Sequence, residues 1–141
     1  MTTLAFDGKT LACDSQVTSG NIKGKMKKYT RLPGGGVIMV AGEVELLEDA
    51  VSRFLAGEDP AVNVDKDGQE RAQFVRLDKT GCFFSADGSW SRMWPGDAIG
   101  SGAPYAITAM HLGLDAKQAV TVACQLDLYS AVPVHTFKVR T

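Results

Sequence analysis

Apolar and polar residues at the start of the chain follow the pattern of two short, paired β-strands. Residues 2–6 have high β-strand propensity, and Asp7-Gly8 is a strong two-residue hairpin signal. Residues 9–14 are predicted to form the second strand, which runs back along the first. A hairpin of this length brings the start of the chain almost opposite Asp14. A carboxylate is therefore expected close to the first residues.

Downstream of the hairpin, strand-like and helical patterns alternate. Residues 37–41 form a continuous apolar run, which is typical of a strand buried on both faces. Residues 43–56 carry apolar side chains at helical spacing, which predicts an amphipathic helix ending at Gly57. The polar segment 58–70 is predicted to be a loop. The remaining predictions are strands at 72–77, 81–86 and 89–94, a glycine-rich turn at 98–102, helices at 103–112 and 115–126, and one or two strands within 128–139.

This order of elements predicts an α+β fold. Strands arranged in hairpins, with helices grouped between them, favour two stacked antiparallel sheets with helices on the outer faces. A length of 141 residues is enough for one domain with a substantial core and is short for two. Residues 1–141 are therefore expected to form a single domain.

Composition and charge narrow the classes of function. The net charge of −1 creates no field that would attract nucleic acid or an anionic membrane. No apolar run reaches the roughly 18–20 residues that a membrane span needs. Cys13, Cys82 and Cys124 have no metal-ligand spacing and form no even disulfide set. We therefore expect a reducing, cytoplasmic setting, no metal centre and no cofactor.

The lysine-rich segment 22–30 contains one lysine that breaks the pattern of the others. Lys23, Lys25 and Lys27 alternate, as on the solvent face of a strand. Lys28 falls on the opposite face, together with Met26 and Thr30. A lysine on an inner face needs a partner or a chemical task, because burying an unpaired charge is costly. The alternative is a loop of solvated lysines.

The first two residues, Met1-Thr2, carry the strongest chemical hypothesis. A threonine at the start of a chain has its own base, because an α-amine with an ordinary pKa of roughly 7.7–8 is partly neutral near pH 7. Such a threonine is a recognised nucleophile for acyl transfer. Methionine before a small residue is commonly removed, and loss of Met1 would expose Thr2. If Met1 is retained, Thr2 has no free amine and the site is blocked.

Six short stretches occur in a recognisable order. They are the opening TTLAF, the stretch DSQVTSGN that starts at Asp14, the pair Lys27-Lys28, Ala41-Gly42 before the first helix, Gly100-Ser101-Gly102 before the second, and Asp127-Leu128-Tyr129-Ser130 after the third. Together they resemble the N-terminal-nucleophile hydrolases of the proteasome β-subunit and HslV type. The resemblance covers nearly the whole chain. It implies a four-layer αββα sandwich and a threonine-type peptidase activity.

The resemblance also implies a role for each matched residue. Thr2 would be the nucleophile and its α-amine the general base, with Lys28 beside Thr2 and Asp14 paired with Lys28. The cation would lower the pKa of neighbouring groups. The backbone N–H of Gly42 would stabilise the oxyanion. The residues that would orient the amine and carry its proton are Ser101, Asp127 and Ser130.

Substrate and assembly follow from the same resemblance. Met26, Val40 and Val44 match the first specificity pocket of the family, and Val17 would add to one wall. Because Met26, Val40 and Val44 are all apolar, we expect cleavage of peptides or unfolded proteins after hydrophobic residues. A ring of identical subunits is implied, with an ATP-dependent unfoldase as a candidate partner. Since no propeptide precedes Thr2, a short HslV-like or bacteriophage-type homologue is expected rather than a eukaryotic proteasome subunit.

Other interpretations of these residues are open at this point. Asp14 and Lys28 could form a structural ion pair, and Ser101 could only cap the helix that follows it. Asp127 and Ser130 could belong to a helix end and a turn. The chain could then be a catalytically silent, ring-forming subunit, or a small amidohydrolase acting on a metabolite. Cys13 is expected to be a small apolar strand residue rather than a nucleophile.

Overall fold

The computed structural model describes residues 2–19 and 22–139. Met1, Gly20 and Asn21, which belong to the sequence-based predictions, lie outside the described residues. The strands are β1 (Leu4–Phe6), β2 (Thr10–Cys13), β3 (Gln16–Ser19), β4 (Ile22–Lys25), β5 (Tyr29–Arg31), β6 (Val37–Gly42), β7 (Ala72–Asp78), β8 (Gly81–Ala86), β9 (Ser89–Arg92), β10 (Asp97–Ile99) and β11 (His135–Lys138). The helices are α1 (Leu47–Leu55), α2 (Ala103–His111) and α3 (Ala116–Leu126).

These strands form two main antiparallel sheets and a two-stranded ribbon. One sheet has the order β10-β1-β2-β11 and the other has the order β5-β6-β7-β8-β9, while β3 pairs with β4. The predicted hairpin is present, because β1 pairs antiparallel with β2 around the Asp7-Gly8 turn. Most neighbouring strands of the five-stranded sheet are joined by hairpins, whereas the four-stranded sheet combines the β1–β2 hairpin with strands from the second half of the chain.

The alternation of side chains along the strands builds the core between the two sheets. Leu4 and Leu11 of the four-stranded sheet are fully buried, in one apolar cluster with Val37, Met39 and Val75 of the five-stranded sheet. Successive side chains of a strand point to opposite faces. Full burial of a leucine such as Leu11 contributes about 1.5–3 kcal/mol to the free energy of unfolding.

Helices cover the outer faces of both sheets. Ala12 of β2 packs in one cluster with Ala119 of α3 and Ala106 of α2. Ile38 of β6 packs with Leu47 of α1 on the other side of the molecule. The order of layers is therefore α2 and α3, the four-stranded sheet, the five-stranded sheet, and α1. The predicted α+β class and αββα arrangement are confirmed.

Two helix starts illustrate how local sequence sets the element boundaries. Asp115 and Gln118 form a capping box at the start of the predicted helix: Asp115 Oδ1 accepts from the Gln118 N–H at 2.8 Å, and Gln118 Oε1 accepts from the Asp115 N–H at 3.0 Å. The helix predicted over 43–56 instead begins as a 3₁₀ turn, Val44–Leu46, before α1. Glu43, the residue before this turn, makes no side-chain capping hydrogen bond.

The lysine-rich segment 22–30 is not one continuous strand. Strand β4 ends before Met26 and β5 begins after Lys28, and the pairing partner changes between them, because β4 pairs with β3 and β5 pairs with β6. Met26 is 47% exposed and does not share an inner face with Lys28, which is 1% exposed. Lys25 and Lys27 are exposed as predicted, while the side chain of Lys23 lies outside the described part.

The segment 128–139 contains a single strand, β11, in its second half. Before β11, the chain passes the site described below. Over residues 2–19 and 22–139, none of the helices is both long and apolar enough to cross a bilayer.

Candidate active site

The opening hairpin brings Asp14 next to the first residues of the chain. The register of β1 and β2 pairs Leu4 with Cys13, and the Asp14 N–H donates to the Thr3 carbonyl at 3.1 Å. Asp14 is therefore opposite Thr3, one position from the predicted Thr2. Thr2, Thr3 and Asp14 are all fully buried.

The carboxylate of Asp14 accepts four hydrogen bonds. Oδ1 accepts from the Thr3 N–H at 3.1 Å and from Lys28 Nζ at 3.1 Å. Oδ2 accepts from the Gln16 N–H at 3.1 Å and from the Ala131 N–H at 3.0 Å. Both oxygens thus face donors only. Asp14 joins the hairpin, β3 and the segment before β11 around one buried charge.

Lys28 joins this carboxylate to the hydroxyl of Thr2. Its Nζ lies 2.8 Å from Thr2 Oγ1 and 3.1 Å from Asp14 Oδ1. Burial lowers the pKa of Lys28, while the charge and hydrogen bond of Asp14 act in the opposite direction. The lysine predicted to need a partner has one, and its ammonium group points at the hydroxyl of the candidate nucleophile.

The geometry around Asp14 predicts a specific order of stability losses. Asp14→Asn places an amide NH₂ against N–H donors and leaves Lys28 without its counter-charge, so we expect a loss of about 3–5 kcal/mol. Lys28→Met leaves Asp14 with its three backbone donors and should cost distinctly less. Urea denaturation of both variants checks this order.

A matched control for these variants is Asp49→Asn. The Asp49–Arg53 pair is 3.0 Å apart on α1, with the two side chains 55% and 39% exposed. Such exposed pairs contribute about 0–1 kcal/mol. Equal losses of stability for Asp14→Asn and Lys28→Met would contradict a role for the backbone donors of Asp14. The ion pair alone would then account for both losses.

The Gly100-Ser101-Gly102 turn lies directly against the backbone of Thr2 and Thr3. Gly100 has φ +99°, and a Cβ there would be 2.1 Å from the Thr2 carbonyl oxygen. A Cβ on Gly102 would be 1.8 Å from Thr3 Oγ1. Only glycine permits this approach, and the glycines of the turn thereby bring Ser101 to the Thr2 nitrogen.

Ser101 connects the Thr2 nitrogen to Asp127. Ser101 Oγ lies 3.3 Å from the Thr2 nitrogen, whose N–H it accepts, and 2.7 Å from Asp127 Oδ2, to which it donates. Ser130 Oγ donates to the same Oδ2 at 2.6 Å and is 2.7 Å from Thr3 Oγ1. A hydrogen-bonded chain therefore runs from the Thr2 nitrogen through two hydroxyls and one carboxylate.

The ionisation of Asp127 in this hydrogen-bonded chain can be tested by the pH dependence of protein stability. Burial would raise the pKa of the Asp127 carboxyl, but the hydrogen bonds from Ser130 and Ser101 outweigh it, and the pKa lies below its ordinary value. An ionised Asp127 therefore stabilises the fold above the unfolded pKa of about 3.9, and this contribution is lost as the pH falls below it. Asp127→Asn should be less stable than the wild type at pH 7, with a difference that shrinks below about pH 4.

Urea denaturation across this pH range measures the difference, with the exposed Asp59→Asn as control. A stability gap for Asp127→Asn that is constant from neutral to acid pH would contradict the assignment of the lowered pKa.

Gly42 lies at the end of β6 in a backbone conformation that requires glycine. Its φ is +121°, and a Cβ would be 2.4 Å from the Arg71 carbonyl oxygen. Thr2, Gly42 and Ser101 line one cavity of about 410 Å³. The three elements that carry these residues therefore meet at one cavity.

A larger cavity of about 1240 Å³ adjoins the first and shares Gly42 with it. Val17, Met26 and Val44, which the sequence assigned to a specificity pocket, all line this larger cavity. Val40 does not line it. It is fully buried in the cluster that joins β6 to α1.

Sequence reasoning missed one wall of both cavities, the segment 63–71. The Arg71 N–H donates to the Asn63 carbonyl at 2.8 Å and the Asp65 N–H to the Gln69 carbonyl at 2.8 Å, which folds the segment into a tight turn. Arg71 also forms an ion pair with Glu43. The turn signal Asp65-Lys66-Asp67-Gly68 was available in the sequence, but its position beside Gly42 depends on tertiary contacts.

Cys13, next to Asp14, is not prepared to act as a nucleophile. Burial raises the pKa of its thiol to about 12, and the nearby Asp14 charge acts in the same direction. The reactive species of cysteine is the thiolate. The prediction that Cys13 is a small apolar strand residue agrees with its place in the inter-sheet core.

Comparison with known proteins shows similarity at the level of the fold. No protein-family model matches the chain, and no curated protein does. Among solved structures, BPH from Thiobacillus denitrificans matches with a TM-score of 0.72 at 20% identity, covering 99% of this chain and 97% of that one. The same protein in complex with epoxomicin matches equally. Eukaryotic HslV from Trypanosoma brucei matches with a TM-score of 0.68 at 23% identity, and the match covers 99% of each chain. The chain therefore has the proteasome β-type fold along its full length.

Proposed function

We propose that this chain is a threonine-type peptidase subunit in which Thr2, once it is the N-terminal residue, is the nucleophile. One observation carries the proposal: Lys28 Nζ is 2.8 Å from Thr2 Oγ1 in a fully buried setting, held there by Asp14. A buried cation against a threonine hydroxyl stabilises the alkoxide. A structural ion pair between Asp14 and Lys28 would not require that the ammonium group also contact Thr2.

The proposed reaction begins with attack of Thr2 Oγ1 on the carbonyl carbon of the substrate peptide bond. The free α-amine of Thr2 takes the hydroxyl proton, and the backbone N–H of Gly42 stabilises the oxyanion. The amine then gives the proton to the leaving nitrogen, the C–N bond breaks, and an ester of Thr2 is left. Water, deprotonated by the same amine, hydrolyses the ester and restores the hydroxyl.

Ser101, Asp127 and Ser130 have a supporting role in this proposal. Ser101 Oγ lies 3.3 Å from the Thr2 nitrogen and would orient the amine so that its lone pair faces Oγ1. The ionised Asp127 holds both serine hydroxyls by accepting from them. These are positioning residues, since the proton moves between Thr2 and the substrate.

The substrate class follows from the cleft. Two adjoining cavities, one containing Thr2 and one lined by Val17, Met26 and Val44, provide space for an extended peptide with a long side chain beside the cleaved bond. Since the similar BPH structure was solved in complex with epoxomicin, we expect a peptide epoxyketone to modify Thr2 here.

Self-association is part of the same proposal. Leu112 at the end of α2 is 77% exposed, and Leu128 after α3 is 73% exposed. Both leucines would be candidates for contact with a second copy in the ring that the sequence resemblance implies. Light scattering of the purified protein measures the assembly.

The test of the function is the intact mass of the purified chain before and after treatment with a peptide boronate or epoxyketone. A chain that starts at Thr2 and gains one inhibitor, located on Thr2 by fragmentation, supports the proposal. A chain that keeps the preceding methionine and gains no mass would contradict it, and would identify a silent subunit of the same fold.

A further inference from the structure

The larger cavity beside the proposed nucleophile combines an apolar wall with an acidic one. Val17, Met26 and Val44 form the apolar wall. The ionisable side chains of the lining are five carboxylates and only two basic groups, Lys27 and Arg71. From its valines and methionine alone, this cavity would be expected to hold an apolar side chain. Its acidic residues favour a side chain that also carries a positive charge.

The two cations do not neutralise the acidic wall. Arg71 is already paired with Glu43. The Lys27 ammonium lies 6.0 Å from the centre of the Tyr29 ring, and Lys27 is exposed. Within residues 2–19 and 22–139, neither Glu45 nor Glu48 forms an ion pair. The charge of Arg71 also acts on Glu45 and Asp65. Five carboxylates against two cations still leave the lining with an excess of negative charge, which a cationic group would reduce.

The carboxylates converge from two separate segments. Glu45 lies on the 3₁₀ turn before α1 and Glu48 in the first turn of α1, while Glu70 belongs to the turn segment 63–71. Acidic residues in the first turn of a helix also stabilise the helix dipole. That effect does not account for Glu70, which is on no helix but lines both cavities.

We propose that this cavity binds the side chain of an arginine or lysine located just before the cleaved bond, an inference that rests on the proposed peptidase function. These side chains have an apolar stem and a charged end. The stem would contact Val17, Met26 and Val44, and the cation would lie at Glu45 and Glu48. Such a substrate uses both walls, whereas leucine uses only one.

The experiment compares aminomethylcoumarin peptides that differ only in this residue: arginine, lysine, norleucine and glutamate. Norleucine has the stem without the charge. We expect kcat/KM for arginine and lysine to exceed that for norleucine about tenfold at low salt, and glutamate to be cleaved least. Because exposed charges are screened, the preference should shrink in 0.5 M NaCl, where the Debye length is only about 4 Å.

Charge-neutral variants assign the preference to named residues. Glu45→Gln and Glu48→Gln should each lower the ratio of kcat/KM for arginine to that for norleucine about threefold, and together about tenfold. Asp59→Asn is the matched control, because Asp59 is exposed and does not line the cavity. Thermal unfolding shows whether the variants are folded. A purely structural role of the two acids at the start of the helix would lower stability without changing the ratio.

The outcomes separate this inference from the proposed function. Hydrolysis that needs Thr2 but favours norleucine, with a ratio unmoved by the glutamine variants, would overturn the inference and leave the peptidase intact. Hydrolysis of every peptide by Thr2→Ala would instead overturn the peptidase proposal, and the inference with it.

Discussion

Thr2→Ala should abolish peptide hydrolysis, with a loss of at least about 10³-fold in kcat. Alanine is small, so removal of the preceding methionine is not impeded, and the variant keeps an N-terminal amine. The variant loses the hydroxyl that contacts Lys28 at 2.8 Å, together with the γ-methyl group of threonine. Initial rates on a fluorogenic peptide, together with circular dichroism and light scattering, measure activity, fold and assembly in one preparation.

The matched variants are Thr2→Ser and Thr3→Ala. Serine restores a hydroxyl on the same backbone and should recover measurable turnover together with the inhibitor adduct. Thr3 is equally buried, but its hydroxyl contacts Ser130 rather than Lys28. Thr3→Ala should therefore retain most of the activity. Undiminished hydrolysis by Thr2→Ala would mean that another group is the nucleophile.

The parts of this site that the sequence predicted are those that depend on short-range geometry. The Asp7-Gly8 turn sets the register of the first hairpin, and the register alone carries Asp14 to the start of the chain. The break in the lysine alternation correctly singled out Lys28 as buried, although the strand that the alternation assumed ends before Met26. The burial of Lys28 was thus predicted correctly, although the strand on which the prediction was based is shorter than assumed.

The parts that could not be predicted depend on contacts between distant segments. The turn at 63–71 reaches the cavities through the Arg71–Glu43 pair and the bond from the Glu43 N–H to the Arg71 carbonyl. Neither pairing leaves a periodic signal in the sequence. Val40 was assigned to the pocket by family resemblance, and its place in the core results from the packing of α1 on β6.

The family resemblance and the structure account for different aspects of the candidate site. The resemblance supplied roles, such as that of the Gly42 N–H, which no pattern reveals. The structure supplies the steric reason that glycine is needed there, since a Cβ would be 2.4 Å from the Arg71 carbonyl oxygen. With identities of 20% and 23% to the solved structures, the fold is shared while the chemistry must be tested in this chain.

Lys28→Met should reduce kcat/KM about 10²-fold or more while the protein still folds. Methionine keeps the length of the apolar stem and removes the ammonium group that contacts both Thr2 Oγ1 and Asp14. The charge-assisted hydrogen bond to the developing alkoxide is then missing in the transition state. Lys28→Arg should not rescue activity, because a larger planar cation does not fit a position that is 1% exposed.

The pH profile distinguishes an electrostatic role of Lys28 from a purely structural one. A neighbouring cation disfavours the protonated form of the Thr2 amine, so it moves the acid limb of kcat/KM below the ordinary range of roughly 7.7–8. In Lys28→Met this limb should move up toward that range. The alkaline limb of the wild type should reflect Lys28, whose pKa burial lowers from that of an ordinary lysine, and it should disappear in the variant.

A variant with lower activity but an unchanged profile would contradict the electrostatic role. Lys28 would then act by holding Asp14 and the hairpin, and the loss of activity should follow the loss of stability across the Asp14 and Lys28 variants. If the ammonium group instead tunes the amine, Lys28→Met loses activity out of proportion to its stability. Asp14→Asn, the less stable of the two, provides the comparison.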